Sequence, residues 1–292
     1  MISFAPRQAI AAVICTASLL CTTALAQAQE APDIEPPSRQ PPIPTLPPPG
    51  APAIATPDGN ALPSVLAILA HPDDEITIAP VLSRIARTGG EVTLVFATSG
   101  DAGPGLSGLE PGNALAELRE SEARCASFAL RLPQPILWRF GDGTLAQEPH
   151  EPDSPAQEMR EHIRSLIAVQ QPQVIMTWGP DGGYGHADHR MISNVVTEIV
   201  QMMDEPRPDL LYSVFPSDSD EPLPGFEQWA TIHPSLVTDR IQYDFADLEA
   251  TRLAIDCYHS QFGEQERSVL PSILHHQLWR GTVSFRLAFE RQ

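Results

Sequence analysis

The chain has 292 residues, 42% hydrophobic and 19% charged, with a formal net charge of −19 and a pI near 4.7. That is enough apolar material for one large catalytic domain with an ordinary core. So acidic a chain repels nucleic acid and anionic membranes, and neither is expected as a partner. An uncharged ligand such as a sugar feels little of that field.

Residues 1–28 read as a secretory signal peptide. Arg7 precedes an uncharged apolar run over residues 9–26, with Ala24-Leu25-Ala26 and Ala26-Gln27-Ala28 as small-residue cleavage sites. The run is at the short end for a membrane span, and Leu20 is too large to precede a lipid-modified Cys21. Cleavage is therefore expected, with no stable membrane insertion afterwards, and a periplasmic or extracellular location. Residues 29–63 form a linker: twelve of the 33 residues 31–63 are proline, which gives a semi-rigid, polyproline-like spacer. Cys15 and Cys21 leave with the signal. Cys125 and Cys257 remain, either as a disulfide or as two buried thiols.

From Ser64 onwards strands alternate with helices. Residues 65–70 (VLAILA) and 92–98 (VTLVFAT) are apolar runs without alternation, as in strands covered on both faces. Helical patterns lie over 76–88, closed by Gly89-Gly90, and over 114–130 behind Asn113. A third strand is expected at 136–140. A helix follows to 169, opened by Ser154-Pro155-Ala156-Gln157 as cap, first-turn proline and capping-box partner. Strand 174–178, helix 186–202 and strand 211–215 complete the regular part. Weaker signals place a strand at 243–245, a helix at 247–259 and a strand at 283–289. This order implies an α/β fold, a doubly wound, Rossmann-like and mostly parallel sheet with helices on both faces, over residues 64–292.

In such a sheet ligands sit outside the carboxyl ends of the strands. The first strand runs into Ala70-His71-Pro72-Asp73-Asp74-Glu75, and the fourth into Asp181-Gly182-Gly183-Tyr184-Gly185-His186-Ala187-Asp188-His189. Imidazoles and carboxylates thus meet on one sheet edge, a donor set suited to catalytic zinc, with iron(II) as the other ion such ligands accept. A carboxylate beside the ion completes the removal of a proton from water. Gly103-Pro104-Gly105-Leu106-Ser107-Gly108 has glycines at dinucleotide-loop spacing, but Pro111-Gly112 interrupts the helix start that such a loop requires. A nicotinamide oxidoreductase is disfavoured on that ground. A carbohydrate-binding protein with a vestigial site is disfavoured because the ligand and base set is whole.

The A-H-P-D-D-E signature, with the later G-H-x-D-H, resembles the PIG-L/LmbE family of zinc N-acetylglucosaminyl deacetylases over roughly residues 64–261. The Gly-Gly-Tyr-Gly-His form looks particularly like its members acting on N-acetylglucosaminyl-inositol conjugates. The resemblance implies His71, Asp74 and His189 as zinc ligands and Asp73 as the general base. It implies His186 as the oxyanion stabiliser, oriented by the Asp188 carboxylate, with Tyr184 assisting the same step. It places Ser99, Arg119 and Asp142 at substrate contacts, although Arg119 equally suits a helix-surface pair with Glu122. Tyr258-His259-Ser260-Gln261 resembles a late structural or pocket-lining element. His150, His162, His233, His275 and His276 are expected to be surface or satisfied core residues. The implied reaction is hydrolysis of an N-acetyl group on a GlcNAc-type sugar or glycoconjugate, the alternative being a zinc amidase for a non-sugar N-acyl substrate.

Overall fold

The computed structural model describes residues 63–217 and 228–291, so the expected signal peptide and all of the linker but Pro63 lie outside the described residues. Strand β1 (Ser64–Leu69) is apolar after its first residue because both of its faces are covered. Val65, Ala67 and Leu69 pack into one layer, and Leu66, Ile68 and the following Ala70 into the other, as side-chain alternation along a strand requires. The first layer holds α1 (Ala79–Arg87), α2 (Asn113–Ala129) and α5 (Phe245–Asp256). The second holds α3 (Pro155–Gln170) and α4 (Ala187–Gln201).

Strands β2 (Glu91–Thr98), β3 (Ile136–Phe140), β4 (Val174–Trp178) and β5 (Asp209–Ser213) extend the parallel sheet, and β6 (Asp239–Gln242) and β7 (Thr282–Leu287) add an antiparallel edge. The order is β3-β2-β1-β4-β5-β7-β6. The doubly wound, mostly parallel architecture is therefore the one expected. Because β1 is flanked by β2 on one side and β4 on the other, the winding reverses between β1 and β4. Their carboxyl ends open into the crevice where such folds bind ligands.

Several local expectations change. The helix expected from Ile76 begins as a tight 3-10 turn, Asp74–Thr77, before α1. Asn113 is the first helical residue of α2, behind Gly112, and makes no side-chain cap. Ser154 does cap α3 by accepting from the Gln157 N–H, but the Gln157 side-chain amide donates to the Pro149 carbonyl rather than closing a capping box. The strand expected at 243–245 lies at 239–242, and Phe245 opens α5. A sixth helix, α6 (Glu264–Ile273), and the π-helical turn Leu274–Trp279 were not expected; of α6 only Pro271 is buried. Among the described residues no helix is long and apolar enough to cross a membrane.

Cys125 of α2 and Cys257, at the C-terminal end of α5, form a disulfide with a Cα–Cα distance of 5.8 Å. It closes a loop of 132 residues, long enough for restraint of the unfolded chain to contribute substantially. Replacement by Cys257→Ser is expected to lower unfolding stability by about 2–4 kcal/mol, read as a lower midpoint in urea. Dithiothreitol should bring the parent protein down to the variant's midpoint and leave the variant unmoved.

Candidate active site

Asp74 is the pivot of the site. Its Oδ2 accepts from the backbone N–H of Ala70 and of His71, both at 2.9 Å, and from Trp178 Nε1 at 3.0 Å. Two of these donors belong to the turn that leaves β1, and the third is the last residue of β4. With Oδ2 occupied, Oδ1 faces His189 Nε2 at 3.1 Å. Trp178 also lies flat against His189, with ring centroids 4.4 Å apart and planes within 5°, so one side chain orients both groups.

The hydrogen bonds fix the imidazole tautomers. His189 Nδ1 sits 3.1 Å from the Gly182 carbonyl, which can only accept, so Nδ1 carries the proton. His71 Nε2 lies 3.0 Å from Asp142 Oδ1 and 3.4 Å from Asp188 Oδ2, so it too is a donor. That turns His71 Nδ1 towards His189 Nε2, 3.1 Å away. Two imidazole nitrogens and the Asp74 carboxylate therefore converge on one point, where a divalent ion, or a proton on His71 Nδ1, relieves the meeting of lone pairs. Donation of the second ring N–H to a carboxylate or carbonyl is the usual support of a metal-ligating histidine. His71, Asp74 and His189 thus fit a divalent ion. Burial works against charge on His71, yet Asp142, Asp188 and Asp74 hold its pKa well above the usual value, so a divalent ion would bind there in competition with a proton. The neighbouring His189 and His71 likewise overcome burial and keep Asp74 well below the carboxylate range.

Two other donor groups lie close together, His71 with His186 and His189, and His71 with Asp142 and Asp188. The tautomers separate them from the ligand set. His186 caps α4, its Nδ1 accepting from the Asp188 N–H at 3.2 Å, so in its neutral form the proton is on Nε2 and that nitrogen donates. Burial, then the charges of His71 and His189, lower its pKa and favour that neutral form.

Asp188 departs from its expected role. Its carboxylate accepts from the N–H groups of Gly143 (2.7 Å) and Leu145 (3.1 Å) and approaches His71, so it fastens the 143–145 turn to that imidazole; only its backbone meets His186. Arg119 is also reassigned. It is buried and donates from Nη2 to Asp73 Oδ2 at 2.9 Å and to the Pro72 carbonyl at 2.7 Å, and from Nη1 to the Gly100 carbonyl at 3.1 Å. Glu122, its other expected partner, instead accepts from the N–H and hydroxyl of Ser260. Gly100 is required here: it has φ +67°, and a Cβ would come within 2.3 Å of the guanidinium. Ser99 is buried and its hydroxyl is spent on Glu120, so it is not placed for a substrate contact. Asp142 belongs to the imidazole network described above. The late element is structural: Ser260 accepts from the Leu106 N–H, and Gln261 donates to the Gly103 carbonyl.

Asp73 is held in a left-handed backbone conformation, φ 94°, which a non-glycine residue adopts only when its surroundings impose it. Glu75 supplies the restraint, one the motif reading did not assign. Its Oε2 accepts from the Asp73 N–H at 3.1 Å and its Oε1 from the Tyr258 hydroxyl at 2.5 Å. Burial pushes the Glu75 carboxyl up to about 8 against that Tyr258 bond. Burial also raises Asp73 to about 6, while the Arg119 guanidinium pulls it down. Tyr184 is 45% exposed and edges onto His186, His189 and Trp229. Gly183 before it has φ +67° and leaves no room for a Cβ, which would lie 2.9 Å from the Trp178 ring. Asp73, Asp74, Trp178 and Tyr184 face one cavity of about 400 Å3, whose far wall is α6.

Known proteins resemble this chain in sequence and in fold. Residues 66–200 match the PIG-L family, described as GlcNAc-PI de-N-acetylase. The 1D-myo-inositol 2-acetamido-2-deoxy-alpha-D-glucopyranoside deacetylase of Corynebacterium diphtheriae is 32% identical over 167 residues, 52% of this chain and 56% of the relative. The chain spans somewhat over half the length of that relative. Among solved structures, the N,N'-diacetylchitobiose deacetylase of Pyrococcus horikoshii superposes with TM-score 0.56 at 18% identity, covering 77% of this chain and 83% of that one. The 4-carboxy-2-hydroxymuconate hydratase GalB of Pseudomonas putida KT2440 does so with TM-score 0.57 at 14% identity, covering 79% and 98%. At such identities the structural likeness speaks for the fold, which carries more than one chemistry.

The ligand assignment separates two carboxylates that are adjacent in sequence. Asp74→Asn is expected to abolish binding of a divalent ion, and Asp73→Asn to retain it. Metal analysis of the dialysed proteins checks this; equal metal content in both variants would refute it.

Proposed function

We propose that this chain, whose residues 66–200 match the PIG-L family, is a metal-dependent hydrolase that removes the N-acetyl group from a GlcNAc-type sugar or glycoconjugate. The observation that carries the reading is the convergence of His71 Nδ1, His189 Nε2 and Asp74 Oδ1 beside a separate carboxylate, Asp73, held by Arg119. Zinc is the ion proposed, from a two-imidazole, one-carboxylate set. Bound there, it would supply Lewis acidity towards the amide carbonyl and lower the pKa of an adjacent water.

The protein's own groups do the rest. Asp73 takes a proton from the water that attacks the carbonyl carbon. His186, protonated on Nε2 in its neutral form, donates to the oxygen that becomes negative. Burial keeps the Tyr184 hydroxyl protonated, so it offers a second donor to the same oxygen. When the carbon–nitrogen bond breaks, the proton held by Asp73 passes to the nitrogen, giving acetate and a free amine. Arg119 keeps Asp73 ionised and aimed, and Asp142 and Asp188 keep His71 in its ligating tautomer. The shared fold of a hydratase leaves the choice of reaction to these residues.

A non-sugar amide is the second reading, favoured by the apolar far wall of the cavity. We also propose export: the Cys125–Cys257 disulfide suits an oxidising compartment, as does the apolar run at residues 9–26.

Asp73→Asn is expected to reduce amine release from N-acetylglucosamine conjugates by about 10^2–10^4-fold while the metal stays bound; an active variant would overturn the mechanism. Arg119→Met tests the support of the base. Arg119 lowers the Asp73 pKa, so its removal raises that pKa, and the acid limb of the kcat/KM profile should move to higher pH. The variant's deficit should be largest in acid and shrink in alkali. A deficit equal at every pH would show that Arg119 serves only packing.

A further inference from the structure

The cavity beside Asp73 is polar at one end only. Asp73, Asp74 and Tyr184 mark that end. Beyond them the wall is built from Ile76, Trp178, Trp229, Phe262, Leu270 and Ile273. Two of the polar groups among these linings are already engaged. Trp178 Nε1 donates to Asp74, and the Thr77 hydroxyl donates to the Asp74 carbonyl. Glu266, the one charged residue that α6 contributes, is exposed at the rim and accepts at Oε2 from the Gly263 N–H of its own helix start, 2.7 Å away. A pyranose pressed against this wall would leave its hydroxyls without partners, which is costly. An acetyl methyl would fill little of about 400 Å3, a volume within the range of sites for much larger ligands.

We propose that the substrate carries an apolar chain or ring next to the scissile amide, and that this cavity takes it. The proposal rests on the hydrolase reading for its substrate and adds a specificity element formed by α6 and the two tryptophans. The apolar group is either the acyl chain itself or the aglycone of an N-acetylated glycoside; both present the same chemistry to the wall.

Two series of compounds separate these sources. One lengthens the acyl group on glucosamine from acetyl to butyryl and hexanoyl. The other keeps N-acetyl and changes a methyl glycoside to butyl, hexyl and phenyl. Binding to the full chain is read from tryptophan fluorescence, since Trp178 and Trp229 line the cavity, and amine release is followed in parallel. Affinity is expected to rise roughly fourfold for each added methylene in one series, and that series identifies the attachment point. Val269→Asp, on the exposed face of α6 that borders the cavity, should cut the whole gain to less than twofold. Two flat series, or a gain untouched by Val269→Asp, would overturn the proposal. Turnover of the acetyl compounds with two flat series sinks this inference alone. A gain in binding without hydrolysis of any amide sinks the hydrolase reading and leaves the apolar site standing.

Discussion

The site depends on the Asp74 carboxylate and the three N–H groups that close around one of its oxygens. A buried carboxylate is tolerated only when its hydrogen bonds are made, and here they are made by the turn after β1 and by the last side chain of β4. The same contacts that lower the cost of burying the charge therefore fix two neighbouring strand ends relative to each other. The remaining oxygen can face only the His189 nitrogen. The positions of His71, whose N–H is one of the three donors, and of Trp178, stacked on His189, follow from that single arrangement.

Around this pivot the acidic groups divide by environment. Asp74, among imidazoles, stays ionised. Asp73, one residue earlier, is raised by burial and restrained by Arg119. Asp142 and Asp188 approach the opposite nitrogen of His71 and never face the base. Neighbouring carboxylates with their pKa values pushed apart can take separate duties. The left-handed backbone at Asp73 keeps its side chain from following that of Asp74, and the Glu75–Tyr258 pair behind it holds the conformation in place.

The inner parallel strands were legible because they are covered on both faces and read as mainly apolar runs, whereas β3, at the sheet edge, alternates and carries the exposed Arg139. The C-terminal edge was not legible. β6 alternates between half-buried and exposed positions, and α6 spends its apolar residues on a cavity rather than on the core, so neither leaves a strong pattern. The same division holds at the site. His71, Asp73, Asp74 and His189 stand in two short motifs at strand ends and could be read off directly. The duties of Arg119, Asp188 and Ser99 depend on which distant group reaches them. Arg119 meets Asp73 across 46 residues, and Asp188 meets a turn 43 to 45 residues away. Ser99 is claimed by Glu120 of α2. No local spacing encodes those meetings.

The bond between Cys125 and Cys257 has a bearing on biogenesis. Beyond residue 28 the chain contains no other cysteine, so a polypeptide shortened at either Ala-x-Ala site has a single intramolecular pairing open to it. On the export proposed above, the first thiol would emerge from a translocation pore well ahead of its partner, with nothing in its own chain to pair with wrongly. An oxidant alone then suffices to close the bond, and no isomerase is needed to correct it.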